Sequence, residues 1–191
     1  KKLYKLIKKP KNLCLNLSAD ELSLNEKIYS FDRFIEIKNI SDWKKKFIDR
    51  EEKNLLNRWH WLLIKTVNEN KEFNYKKGMT LIYSWLLSQE NLTKNHNSYD
   101  ASERIVNFLL FQLYHQKDLT EIPVSLKNYL YVTAYQIANN LEFNDNDLTG
   151  NHLLNNSRAL IILGLTLKSK EYTNLGFELL KFILSKIIVD K

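Results

Sequence analysis

The sequence predicts an all-α fold built as a double-layered array, with inner helices enclosed by outer ones. Three observations carry this. From about Asp42 onward apolar residues recur at steps of three and four, a helical period. Only four glycines and two prolines punctuate the 191 residues. Segments apolar nearly all round, such as IVNFLLFQLYH and ALIILGLTL, alternate with segments apolar along one stripe, as enclosed and enclosing helices do. With 44% hydrophobic and 12% aromatic residues the chain can bury a substantial core, and its length suits one domain or part of a larger protein.

Taken in order, residues 1–30 open with KKLYKLIKKPK and read as a basic arm or linker. The stretch Lys27 to Ile37, KIYSFDRFIEI, is the best candidate for extended structure, although its alternation is imperfect. Helices are expected near 42–50, 52–69, 73–89, 99–116, 122–141, 150–168 and 171–189. In 122–141 one stripe is formed by Ile122, Leu126, Tyr129, Leu130, Thr133, Ile137 and Leu141, and Pro123 suits its first turn, where a missing N–H does no harm. In 171–189 the stripe is Leu175, Leu179, Leu180, Ile183, Leu184 and Ile187. No fixed-period repeat argues for a solenoid. The chain does not begin with Met and reads as a piece of a longer gene product.

Composition narrows the function. The net charge of +7 points to an acidic partner, but 24 of the 29 basic residues are lysines. Recognition of phosphate by paired N–H groups favours arginine, so nucleic acid is not expected as a partner. No apolar run is long enough to span a membrane. The single Cys14 cannot form an internal disulfide, and no His or Cys spacing suggests a metal site. Glycine-rich phosphate loops and the G-x-S-x-G nucleophile motif are absent. No cofactor is expected.

The informative stretch is TGNHLLNNSRALIILGL, Thr149 to Leu165. An apolar helix here begins with Asn151, His152, Asn155, Asn156 and Arg158. With Thr149 as N-cap, the unpaired N–H groups and positive dipole end of the helix lie beside Asn151 and His152, a ready place for a carboxylate. Asn supplies two amide donors without charge, and His a proton that moves near neutral pH. The same residues could serve only to cap the helix. Both readings stay open from spacing alone.

NLEFNDNDLTGNHLLNNSRALIILGL, Asn140 to Leu165, resembles the signature of the heparinase II/III family of polysaccharide lyases, N-L-E-x-H-L-x-G-N-H-L-L-x-N-x-x-A-L. Upstream, YDASERIVNFL, Tyr99 to Leu109, is similar to the family's Y-x-x-S-x-R-I-V-N-W, and NRWHWLL, Asn57 to Leu63, falls where the family has an aromatic-rich helix. The resemblance covers residues 31–191 and implies a partial (α/α) toroid of inner and outer antiparallel helices, followed by antiparallel β-sheet domains. It also implies β-elimination at a uronic acid of an acidic polysaccharide and a periplasmic or cell-envelope setting.

On that resemblance Asn151 matches the residue that neutralises the substrate carboxylate, with His152 beside it as the second catalytic candidate. Asn155, Arg104, Tyr99 and Trp59 are the candidates for substrate binding. The family's Tyr-His base lies some fifty residues beyond the Asn, past Lys191, so these residues are expected to hold half of an active site and to lack lyase activity alone. Two other readings stand beside this one: a non-catalytic acidic-polysaccharide-binding protein, and a helical scaffold that binds protein.

Overall fold

The computed structural model describes residues 24–30, 33–44, 47, 49–68, 73–89, 97–141 and 150–189. These are mostly helical. The extended stretch is an antiparallel hairpin of β1 (Glu26–Ser30) and β2 (Arg33–Ile37), in register Glu26↔Ile37, Ile28↔Ile35 and Ser30↔Arg33. Alternation puts Ile28, Ile35 and Ile37 into the core and leaves Lys27 and Glu36 outside as an ion pair. Leu24 and Ile28 are buried, so part of the stretch read as an arm belongs to the folded body.

Of the segment read as helix 42–50, the part described through Lys44 belongs to a short 3-10 helix, Ile40–Lys44, which Asp42 stabilises by accepting from the N–H groups of Lys38 and Asn39. Residues 45, 46 and 48 lie outside the described residues. Next come α1 (Arg50–Asn57), capped by Asp49, and α2 (His60–Asn68). The sequence reading joined these two as one helix, 52–69. The chain breaks at Trp59, whose φ of 57° lies in the left-handed region that a bulky side chain ordinarily avoids. An unbroken helix would point Trp59 and Trp61, two residues apart, to nearly opposite sides. With the break each is 1% exposed. Asn107 then donates to the Arg58 carbonyl that the broken helix leaves over, at 2.9 Å.

The remaining helices follow the predicted order: α3 (Tyr75–Ser88), α4 (Ser98–Tyr114), α5 (Val124–Asn139), α6 (Gly150–Thr166) and α7 (Lys170–Val189). Asn74 and Asn97 cap α3 and α4, and Pro123 sits one residue before the first turn of α5. α4 is the central element, buried along most of its length and flanked by α1, α2, α5 and α6. Between α4 and α6 the tie is polar: fully buried Asn156 accepts from the Ser102 hydroxyl at 2.8 Å and donates to that of Ser98 at 3.2 Å.

α6 and α7 make the most intimate helix pair, through glycine. A Cβ on Gly176 would lie 2.8 Å from the Ile161 nitrogen, and one on Gly164 would run into Thr173. Ser157 donates to the Gly176 carbonyl at 2.8 Å across the same seam. Among the described residues, no helix is long and apolar enough to cross a membrane.

Candidate functional site

The heads of α4 and α6 meet. The Tyr99 ring lies 4.6 Å from the His152 imidazole, with the planes inclined by 37°. His152 and Tyr99 are half-buried, and Asn151 on the preceding position is exposed. Three of the six residues singled out by sequence therefore gather at one surface corner. Thr149, the expected N-cap of α6, lies outside the described residues, as do His96, Cys14 and the turn Asn144 to Asp147.

The other three need correction. Asn155 was expected to touch substrate, but it is 7% exposed and occupied at both ends of its amide. It donates to the Tyr99 carbonyl at 3.4 Å and accepts from Arg158 at 2.5 Å. It pins α6 to α4. Trp59, expected as a platform for a sugar ring, is a core residue against Trp85, Phe108 and Tyr129 at centroid distances of 5.3, 6.2 and 6.2 Å. Arg104 is 1% exposed beneath the same indoles. The break at Trp59 turns its indole into the core, and Arg104 lies among the buried residues of α4.

Sequence reasoning missed Arg58 and Asp100. Arg58 donates from Nε to Asp100 at 2.6 Å and from Nη1 to Glu51 at 2.7 Å, with its guanidinium 5.0 Å from the centre of the Tyr99 ring. Burial works against the Arg58 charge, but Asp100, and behind it Glu51, more than offset this and raise its pKa above the ordinary value. The only signal in the sequence was NRWHW, whose helix break the periodicity hid.

Charge balance decides what this corner can attract. Arg58 is matched by Asp100 and Glu51, and Arg158 is matched by Glu103 at 2.5 Å. Among the described residues no surplus of fixed cation draws an anion here. What the corner offers is the exposed Asn151 amide, the imidazole of His152, the Tyr99 phenol and the amino end of a seventeen-residue helix. That set can receive a carboxylate through hydrogen bonds. Among the described residues no cluster of His, Cys, Asp and Glu could hold a metal ion.

Of the other histidines, His60 is exposed at the start of α2. His115 follows α4 and packs edge-on against Phe111, Tyr114 and Tyr75 at 4.7, 5.4 and 5.9 Å. Comparison with protein-family models, with curated proteins and with solved structures finds no match.

Proposed function

We propose that the corner formed by Asn151, His152 and Tyr99 binds the carboxylate of a uronic acid in an acidic polysaccharide. On this reading the chain is part of a partial (α/α) toroid and supplies the carboxylate-neutralising side of a β-elimination site. One observation carries the proposal: Asn151 stands exposed at the head of a helix whose next turns are core, beside an imidazole and a phenol.

The chemistry follows from the charge that must develop. Removing the proton at C5 of a uronate places a second negative charge next to an ionised carboxylate. An amide donor held against that carboxylate stabilises the enolate-like charge as it grows, which is where a fixed donor has most effect. The electron pair from the C5–H bond forms the C4–C5 double bond as O4 leaves and takes a proton. Asn151 has the neutralising role and His152 and Tyr99 touch substrate. The resemblance places the proton acceptor in a Tyr-His farther along a family chain.

The test is calorimetric titration of the 191-residue chain with a hexuronate oligosaccharide and with the same sugar reduced at its carboxyls. The proposal expects the acidic sugar to bind at least about tenfold more tightly, and Asn151→Ala to erase the difference. Equal binding of both sugars, or an unaffected Asn151→Ala, would overturn it. Ultraviolet absorbance of an unsaturated uronate is expected to stay flat with this chain alone. Robust turnover would show that the proton acceptor is within these 191 residues.

A protein-binding scaffold is the second reading. It is favoured by Leu165, Leu184 and Phe177, which are 63%, 45% and 44% exposed on α6 and α7. It expects Asn151→Ala to leave partner binding intact.

A further inference from the structure

Charge around the Asn151 corner bears on which acidic sugars it admits. Among the described residues, the charged groups tied to it are two guanidiniums and three carboxylates. Arg58, stacked on Tyr99, is held by Asp100 at 2.6 Å and by Glu51 at 2.7 Å. Arg158, which donates to Asn155, is held by Glu103 at 2.5 Å. Although the whole chain carries +7, this set is negative by one. The sequence leading into α6, Glu142 to Thr149, contains Glu142, Asp145 and Asp147 and no Lys or Arg. Ahead of α4, Glu90 to His96 holds one Glu and one Lys.

Spacing puts one of these pairs in the path of a bound polymer. Asn151, Asn155 and Arg158 recur at steps of four and three and so share one face of α6, as Tyr99 and Glu103 share one face of α4. The Arg158–Glu103 pair therefore lies along the α4–α6 seam, about 10 Å from Asn151 at the helical rise. Its side chains are 47% and 23% exposed, open to the sugars on either side of the one whose carboxylate Asn151 meets. Arg158 would be a ready partner for a sulfate ester, because its fork of N–H groups matches an oxyanion. Glu103 already fills that fork and repels a second anion. The carboxylate at the corner needs only neutral donors and the helix end.

We infer that the corner selects a hexuronate polymer free of sulfate groups, and that Glu103 is the residue that turns sulfated ones away by holding Arg158. The inference rests on the uronate reading above and states which uronates it admits. A preference of this kind is set by what is repelled as much as by what is bound. One carboxylate per sugar is met by the Asn151 amide. Each added sulfate is permanently ionised and finds three carboxylates against two guanidiniums that are already paired.

The probes are an oligomannuronate hexamer, the same hexamer after chemical O-sulfation, and the same hexamer reduced at its carboxyls, titrated calorimetrically at pH 8. The parent chain should bind the plain hexamer at least about tenfold more tightly than the sulfated one at low salt. Glu103→Gln keeps the side-chain shape and frees Arg158. It should raise affinity for the sulfated hexamer by about tenfold, and added salt should erase that gain. Glu103→Gln combined with Arg158→Met should show no gain. The parent's own ranking decides the matter if Glu103→Gln does not fold. A sulfated hexamer that binds the parent as tightly as the plain one, or a folded Glu103→Gln without gain, would overturn this inference. With the reduced hexamer still binding weakly, the uronate reading would survive that result. Equal binding of the plain and reduced hexamers would remove both.

Discussion

The Tyr99 ring rests 4.6 Å from the His152 imidazole, and this contact joins the amino ends of α4 and α6 at the one place where α6 is polar. Asn155 reinforces it one turn along by donating to the Tyr99 carbonyl. The corner is therefore held by the packing of two helices.

Because Asn151 is exposed, replacing it should separate binding from folding. Asn151→Asp puts a negative charge where the proposed carboxylate binds, and uronate affinity should fall by about tenfold or more. Stability should stay within about 0.5 kcal/mol of the parent, as for other surface changes. Calorimetric titration and urea denaturation on the same preparation measure both.

Asn156 makes the opposite prediction from nearly the same place in the sequence. It is fully buried and bridges Ser98 and Ser102. Asn156→Ala leaves two buried hydroxyls without this partner and should cost about 1–3 kcal/mol, read as a lower urea midpoint at unchanged slope.

The glycines of α6 and α7 should respond with opposite signs. A Cβ on Gly150 meets nothing within 4 Å, so Gly150→Ala should stabilise by about 0.5–1 kcal/mol through helix propensity and a less flexible unfolded chain. A Cβ on Gly176 would sit 2.8 Å from the Ile161 nitrogen and 2.9 Å from the Ser157 carbonyl oxygen, backbone atoms that cannot step aside. Gly176→Ala should therefore cost about 2 kcal/mol. Thermal denaturation of the two variants side by side reads the difference.

His115 gives a pH signature. Burial, and secondarily Lys117, lowers its pKa from the ordinary 6.5, and Nε2 is buried without a hydrogen-bond partner. The folded state thus prefers the neutral ring, while the unfolded chain takes up a proton as pH falls through 6.5. This contribution to stability is present above that pH and lost below it. Melting midpoints measured from about pH 7 to about pH 5 should drop more steeply for the parent than for His115→Phe.

Much of the helical architecture was legible because periodicity is local. The apolar steps within α4, α5, α6 and α7 needed no knowledge of neighbours, and their bounds fall within a few residues of those expected. The hairpin was half-legible. Its two strands were read as one extended segment because β1 and β2 together blur the alternation that each shows separately. Asn151 and His152 were legible as polar groups at a helix head, and Tyr99 through the resemblance of its segment. Arg58 was not, since its position depends on the turn at Trp59.

By itself, then, the sequence determined the helices α3 to α7 and that α6 begins with a polar cluster, because side-chain period and capping chemistry act over a few residues. Tertiary structure alone decided how each helix is rotated about its axis. That rotation leaves Asn151 in solvent and buries Asn155 and Asn156, identical side chains within two turns of one helix. It also sent Arg104 inward, as the break between α1 and α2 did Trp59. Rotation is set by how α4, α6 and α7 pack through residues such as Ser102, Asn156 and Gly176, contacts between positions far apart in the chain.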